Sequence, residues 1–197
     1  MTRKNLVRAA LAVLTPVLVL AGCAEGAHSG AGDHGPTATS ATAAPSAGHN
    51  DADVTFAQGM IPHHQGAIEM AELAAGRTSN AEVLDLASRI KQAQDPEIKT
   101  MTAWLDSWGV QAHEPGMEHG SDMPGMGEAQ TDALEQAKDA DFDRMFLEMM
   151  IEHHQSAVDM SATQLRQGSN ADVKKLAQQI IDSQQAEITE MRALLRG

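Results

Sequence analysis

An internal repeat constrains this chain more than any other feature of its sequence. Residues Asp53–Leu105 align on Asp143–Leu195 without a gap at a constant offset of 90, and 22 of the 53 aligned positions are identical. An ungapped repeat of this length indicates duplication of one structural unit. The chain is therefore expected to fold as two similar halves.

Each repeat has the composition of two helices. Ala, Leu, Met, Gln and Glu are abundant, and no alternation of β-branched and aromatic residues indicates a strand. The first helix is expected to begin with Asp53 as its N-cap and to end near Gly76, as its counterpart ends near Gly168. The second helix opens with a capping-box pattern, Ser79-Asn80-Ala81-Glu82, which returns as Ser169-Asn170-Ala171-Asp172.

Four amphipathic helices predict an all-α fold, a ferritin-like four-helix bundle made of two duplicated helical hairpins. The connection between the repeats is long enough to cross the whole bundle, which favours a crossover loop over an up-down-up-down path. Pro62 and Pro96 fall inside helices of the first repeat, where each removes a backbone hydrogen bond and should kink the helix. The expected organisation is 1–22 signal peptide, 23–52 flexible tether, 53–108 first hairpin, 109–130 Met/His-rich crossover loop and 131–197 second hairpin, with both hairpins in one domain.

The first residues have the pattern of a bacterial export signal. Arg3, Lys4 and Arg8 precede an apolar run that is too short for an ordinary membrane span. The segment Leu20-Ala21-Gly22-Cys23 resembles the lipobox of bacterial lipoproteins, in which the Cys is lipidated and becomes the first mature residue. The resemblance implies an extracytoplasmic protein attached to the membrane by a lipid anchor at Cys23, and a stray thiol is the alternative.

The balance of charge is strongly acidic. The chain has 14 Lys and Arg against 27 Asp and Glu, a formal charge of −13, which becomes −16 when the three basic residues of the signal are removed. Nucleic acid is therefore not an expected partner. An acidic surface suits cations, although solubility alone explains such a charge equally well.

The repeats carry their chemistry in one segment, Met60–Met70, which returns as Met150–Met160 with the same His-His pair and the same two Met. On a helix of about 3.6 residues per turn, both imidazoles and both thioethers fall on the inward half. Imidazole and thioether suit Cu(I) and Ag(I), whereas zinc rarely uses Met. The pattern predicts copper ligands, with structural core histidines as the alternative, at Met60, His63, His64, Met70, Met150, His153, His154 and Met160.

The second helix of each repeat supplies further candidates. Glu97 and Glu187 are expected near the core face, where they could hydrogen-bond an imidazole N–H and orient it. Filling a polar gap in the core or reaching solvent is an equally open role for them. Met101 and Met191 are expected to fill the core, with support of the metal site as the alternative.

The crossover loop carries a separate signal, because His113–Met126 contains three Met and two His within 14 residues. Exposed Met in a segment rich in Pro and Gly has no core to fill. Flexible Met/His tracts can wrap a soft cation, and an uncommitted spacer is the alternative. The prediction is copper capture at Met117, His119, Met123 and Met126.

The twin motif Met-Ile-x-His-His-Gln-x-Ala-(Ile/Val)-(Glu/Asp)-Met resembles a bacterial domain family of unknown function that includes CopM-like secreted copper-binding proteins. The resemblance covers Asp53 to Leu195. It implies a ferritin-like bundle that binds copper outside the cytoplasm, Cu(I) before Cu(II), for resistance, storage or delivery. A copper exporter or acceptor protein is the implied partner in delivery. The metal role is implied for Met60, His63, His64, Met70 and their counterparts.

Three other functions are alternatives to copper binding. A di-iron oxidase needs Glu-x-x-His on the bundle helices, and the only such pattern, Glu25 to His28, lies in the tether. A haem bundle would have only three Phe and two Trp to pack the macrocycle. A lipid-anchored interaction module with structural or pH-sensing His pairs is the third. No enzymatic activity is expected.

Overall fold

The computed structural model describes residues 48–112 and 128–196, and this part of the chain consists of helices and their links without a β-strand. None of these helices is long and apolar enough to cross a membrane. The helices are α1 (Asp51–Leu73), α2 (Ala81–Trp108), α3 (Glu128–Gln136), α4 (Asp139–Gln167) and α5 (Ala171–Leu194).

The helices form two hairpins, α1 with α2 and α4 with α5, which meet along α1 and α4. The start of α1 lies at the end of α4, where the Asn50 side chain donates to the Gln167 carbonyl at 2.9 Å. The start of α2 lies beside the start of α4, where Asn80 Nδ2 donates to Asp143 Oδ2 at 2.9 Å. Helices α1 and α4 are therefore antiparallel.

The end of α2 returns to the start of α1, because Gln58 Nε2 of α1 donates to the carbonyl of Gln111 at 2.9 Å. The chain thus leaves α2 at one end of the bundle and begins α4 at the other end. This topology confirms the predicted ferritin-like bundle of two hairpins with a crossover.

Asparagines, and not the residues expected from sequence, cap α1, α2 and α5, whereas Lys138 at the start of α4 makes no side-chain capping hydrogen bond. Asn50 is the N-cap of α1, and Asp53 is the third helical residue of the resulting capping box, so the prediction of Asp53 as the N-cap is wrong. Asn80 caps α2 and Asn170 caps α5. The side-chain oxygens of Asn80 and Asn170 each accept a backbone N–H at the start of their helix. The Ser that precedes each of these two Asn was expected to accept that hydrogen bond.

Asp53 joins the two repeats at one end of the bundle. Its carboxylate is fully buried and accepts hydrogen bonds from the backbone of Asn50, from the Gln164 side chain, from the backbone and hydroxyl of Ser169 and from the backbone of Asn170. Burial by itself would raise the pKa of Asp53, but these hydrogen bonds lower the pKa below its ordinary value. The carboxylate therefore holds the first turn of α1 against the α4–α5 link.

Gly168 makes this junction sterically possible. A Cβ at this position would lie 2.7 Å from Asp53 Oδ1 and 2.6 Å from the Gln164 side-chain Cδ. The backbone of Gly168 has φ of −67°, so the requirement for glycine is one of space and not of backbone conformation.

Two hydrophobic cores occupy the two ends of the bundle. The upper core surrounds the start of α4 and includes Ala67, Met70, Leu86, Ile90, Leu134, Phe142, Phe146, Met150 and Met191. The lower core surrounds the start of α1 and includes Phe56, Met60, Ile61, Met101, Leu105, Ala157, Val173 and Ile180. The two cores are separate clusters, and the polar side chains described below lie between them.

Helix α3 is not anticipated by the periodicity of the sequence, which placed residues 109–130 in a loop. It begins at Glu128, packs on α4 and buries Leu134 completely in the upper core. With nine residues, it shows too few periods for its apolar face to be recognised. Helices α1 and α2 continue through Pro62 and Pro96 without a break in helical structure.

We expect Asp53→Asn to lower the free energy of unfolding by about 2 kcal/mol, because an amide cannot accept all the N–H groups that the buried carboxylate accepts. Urea denaturation followed by circular dichroism measures the change. The matched control is Asp51→Asn on the exposed side of the same turn, which should change the free energy by less than about 0.5 kcal/mol. Equal effects of the two substitutions would contradict the role of Asp53.

Candidate metal centre

A layer of buried polar side chains separates the upper and lower cores. His63 and His64 of α1 and His153 and His154 of α4 are at most 3% exposed. The second helix of each hairpin adds a buried Gln and a mostly buried Glu. We call this set the histidine layer: His63, His64, Gln94, Glu97, His153, His154, Gln184 and Glu187.

The two repeats meet in this layer through His63 and His153. Their ring centroids are 3.7 Å apart and the ring planes are inclined by 41°. Because α1 and α4 are antiparallel, this is the level at which a residue of the first repeat faces its own counterpart. The four histidines therefore form one cluster and not two separate pairs.

Each of the other two histidines is held by a carboxylate from the second helix of its own hairpin. His64 Nε2 lies 2.6 Å from Glu97 Oε2, and His154 Nε2 lies 2.7 Å from Glu187 Oε2. An ionised carboxylate only accepts hydrogen bonds, so the proton of each contact is on the imidazole Nε2. In the neutral imidazole this leaves the lone pair on Nδ1, which is the atom available to a metal ion.

Most ring nitrogens of the layer have no hydrogen-bond partner among the described residues. Six ring nitrogens are buried without a partner: both nitrogens of His63 and of His153, and Nδ1 of His64 and of His154. The side-chain oxygens of Gln94 and Gln184 are buried without a partner too. A buried polar atom without a partner costs about 1–3 kcal/mol. Such a concentration of unpaired polar atoms is costly in a core that serves packing alone, and its unpaired imidazole lone pairs and amide oxygens fit a bound cation.

The two central histidines are held in the neutral form. Burial lowers the pKa of His63 to about 3, with the neighbouring His64 and His154 adding to the effect. Burial lowers the pKa of His153 to about 2, with His63, His154 and His64 adding to it. Neutral imidazole is the form that binds metal ions.

Buried thioethers lie on both sides of the histidine layer. Met60 of α1 and Met101 of α2 belong to the lower core, and Met150 of α4 and Met191 of α5 belong to the upper core. Each is three or four residues from a His or Glu of the layer along its own helix, which is about one turn. All four side chains are fully buried.

The other two methionines of the motif lie farther from the histidine layer. Met70 and Met160 are each six residues beyond the second His of their motif, about 9 Å along the helix. Met70 is fully buried in the upper core, whereas Met160 is only partly buried against the lower core. Both Met were predicted to point into the bundle. Met70 is buried as predicted, whereas Met160 is only partly buried.

The remaining predicted site residues lie outside the described residues. These are Cys23 of the lipobox and Met117, His119, Met123 and Met126 of the crossover loop. Within residues 48–112 and 128–196, no three His, Cys, Asp or Glu side chains already stand in the geometry of a metal site, so a metal ion in the histidine layer requires the rings to turn.

Two features that build the site were not predicted from the sequence. The sequence left open whether the two repeats share a site, and the His63–His153 contact is visible only when α1 and α4 are placed side by side. Gln94 and Gln184 are also buried in the layer, and no role was predicted for them. Gln occurs at this position in both repeats, and this is the sequence feature that could have indicated their place in the layer.

We expect the metal-free protein to lose stability as the pH falls from about 6.5 to about 3. An unfolded His has a pKa of about 6.5, so in this range the unfolded state binds protons that folded His63 and His153 do not. Each of the two contributes about 1.4 kcal/mol per pH unit in the middle of the range. Thermal unfolding in the presence of a chelator, from pH 4 to pH 7.5, measures the slope.

The double variant His63→Gln/His153→Gln should flatten this slope, because an amide does not titrate. The control is His49→Gln, which removes an exposed His stacked on Trp108 and should leave the slope unchanged. A slope that is the same in the double variant and the parent would contradict the assignment.

Known proteins share both the sequence and the fold of this chain. Residues 53–195 match the family described as Domain of unknown function (DUF305). A DUF305 protein from Streptomyces coelicolor is 33% identical with a TM-score of 0.67, over 74% of this chain and 92% of that chain. No curated protein shows a significant match.

A second similar protein is CopM, which has been solved in Cu(II)-bound, Cu(I)-bound and Ag-bound forms. The Cu(II)-bound structure is 39% identical with a TM-score of 0.63, over 73% of this chain and 95% of that chain. The Cu(I)-bound structure has the same TM-score and 36% identity over the same shares. The family match over residues 53–195 and these identities show that the chain belongs to the DUF305 family.

Proposed function

We propose that this protein binds copper at the histidine layer and carries or stores it without chemical turnover. One observation supports the proposal above all: four buried imidazoles from both repeats form one cluster whose ring nitrogens are mostly without hydrogen-bond partners. CopM, whose structures hold Cu(I), Cu(II) and Ag, supports copper as the metal because it is similar in sequence and fold.

Cu(I) is the favoured oxidation state because the buried thioethers closest to the layer are soft ligands. Met60 and Met101 adjoin the layer from one side, and Met150 and Met191 adjoin it from the other. Thioether sulfur and imidazole nitrogen together suit Cu(I) and Ag(I) better than zinc. Cu(II) would depend on the imidazoles.

The carboxylates of Glu97 and Glu187 fix the orientation of two of the ligands. Each accepts the Nε2 proton of its His, which directs the Nδ1 lone pair away from the carboxylate. Hydrogen bonding to a carboxylate also makes the imidazole more basic and so a better ligand.

The contact between His63 and His153 implies movement on loading. At 3.7 Å between centroids, the rings are in van der Waals contact, and an ion cannot lie between them. An ion bound by both rings must lie beside the pair or separate the rings. We propose that a rotation of these side chains accompanies copper binding.

The regions at the chain's N-terminus and between the repeats extend the proposal. The signal-like residues 1–22 and the lipobox-like Cys23 support an extracytoplasmic protein with a lipid anchor in the membrane. The crossover residues Met117, His119, Met123 and Met126 have the chemistry for copper capture. A copper exporter or acceptor protein is the partner that a delivery role requires.

We expect the variant with His63, His64, His153 and His154 all changed to Gln to lose tight Cu(I) binding. The measurement is an equilibrium titration of the full chain against a chromophoric Cu(I) chelator, which gives stoichiometry and affinity. Circular dichroism shows whether the variant remains helical. Unchanged stoichiometry and affinity would exclude the histidine layer as the site.

The matched control changes Met117, His119, Met123 and Met126 to Ala and leaves the bundle intact. It should retain the binding that depends on the four histidines. If the control loses all Cu(I) binding and the histidine variant loses none, the loop is the site and the proposal for the layer is wrong.

We expect Glu97→Gln/Glu187→Gln to weaken Cu(I) binding about 10- to 100-fold without changing the stoichiometry, because the imidazoles keep their position and lose their charged acceptor. The same chelator competition measures the effect. The control is Glu82→Gln in the exposed first turn of α2. Equal affinities of the double variant and the control would show that the carboxylates do not support the site.

A further inference from the structure

The two repeats differ at one place that bears on how the histidine layer is reached. A groove of about 1000 Å³ runs between the start of α1 and the end of α4. The repeat symmetry places an equivalent surface between the start of α4 and the end of α1. The two surfaces have different residues and different surroundings.

The equivalent surface has larger apolar residues at two positions, and these pack in or against the upper core. Phe142 and Met145 stand there where the groove has Ala52 and Thr55. Helix α3 packs on α4 at this end, and its Leu134 is buried in the same core as Phe142. No helix equivalent to α3 is found against the groove among the described residues.

Met160 lies where the groove meets the lower core. It lines the groove and packs against the cluster that contains Met60, whereas its counterpart Met70 is fully buried. Gly59 provides the space for it, since a Cβ there would lie 3.1 Å from the Met160 methyl carbon. Met160 is therefore the thioether of the twin motif that solvent can reach.

The lining of the groove suits a cation. Asp51, Glu152 and Asp159 are exposed carboxylates on its walls. Gln164 also lines it, and its side-chain oxygen is buried without a hydrogen-bond partner while its amide nitrogen donates to Asp53. This buried oxygen is an unpaired acceptor in the wall of the groove, separate from the three exposed carboxylates.

We propose that this groove is the route by which Cu(I) enters the bundle, with Met160 as the first thioether that it meets. The inference rests on the proposed function of the histidine layer. The carboxylates attract the cation, Met160 binds it, and Met60 receives it one turn from the histidines. Each step exchanges one ligand for another at the same oxidation state, so no oxidant or reductant is required.

The test compares Gln155→Trp with Gln65→Trp. Gln155 lines the groove, and Gln65 is its counterpart in the first repeat. Cu(I) is supplied to the full chain as its bicinchoninate complex, and the loss of colour is followed in time. Gln155→Trp should slow uptake at least tenfold and leave the final stoichiometry unchanged. Gln65→Trp should load at the rate of the parent.

Equal uptake rates in the parent and both Trp variants would overturn the proposed route. If Gln155→Trp fails to fold, Met160→Leu, which nearly conserves volume, must slow uptake instead. The final stoichiometry of the parent reports the proposed function separately. If it does not depend on the four histidines, the copper site is wrong, whereas unslowed uptake into a histidine-dependent site refutes the route alone.

Discussion

The burial of four imidazoles between two hydrophobic cores is the constraint on which the rest of the bundle depends. Each ring needs partners that a helical core does not supply, so the second helices contribute Glu97 and Glu187 to the two outer rings. The two inner rings, His63 and His153, lie against each other and have no hydrogen-bond partner in the part of the chain that the structure describes. The apolar residues above and below keep the layer dry, which holds the inner rings neutral.

Duplication explains why the layer lies at the centre. Two copies of a hairpin packed antiparallel bring equivalent residues together at one level, and in this chain that level carries the His pairs. The hairpins are held in this register at their ends, where Asp53 binds the α4–α5 link and Asp143 accepts from Asn80. A shift of one helix along the other would separate His63 from His153 and break both junctions.

The departures from symmetry occur at the surface and not in the layer. At one end of the α1–α4 pair, helix α3 packs over large apolar residues. At the other end, small and polar residues line a groove. Met160 is partly exposed and Met70 is buried for this reason. The groove would give the proposed copper site one direction of access, which an exactly symmetric bundle would lack.

The sequence by itself determined the helices, the duplication and the inward direction of the histidines, because these follow from residue type and from spacing along one helix. The N-cap of α1 and the short helix α3 were not predicted. Several residues within one or two turns can serve as an N-cap, and nine residues show little periodicity. Only the tertiary structure decided that His63 meets His153, that Asp53 joins the repeats and that Met160 stays partly exposed while Met70 is buried. Contacts between helices depend on their register and packing, which residue spacing within one helix does not specify.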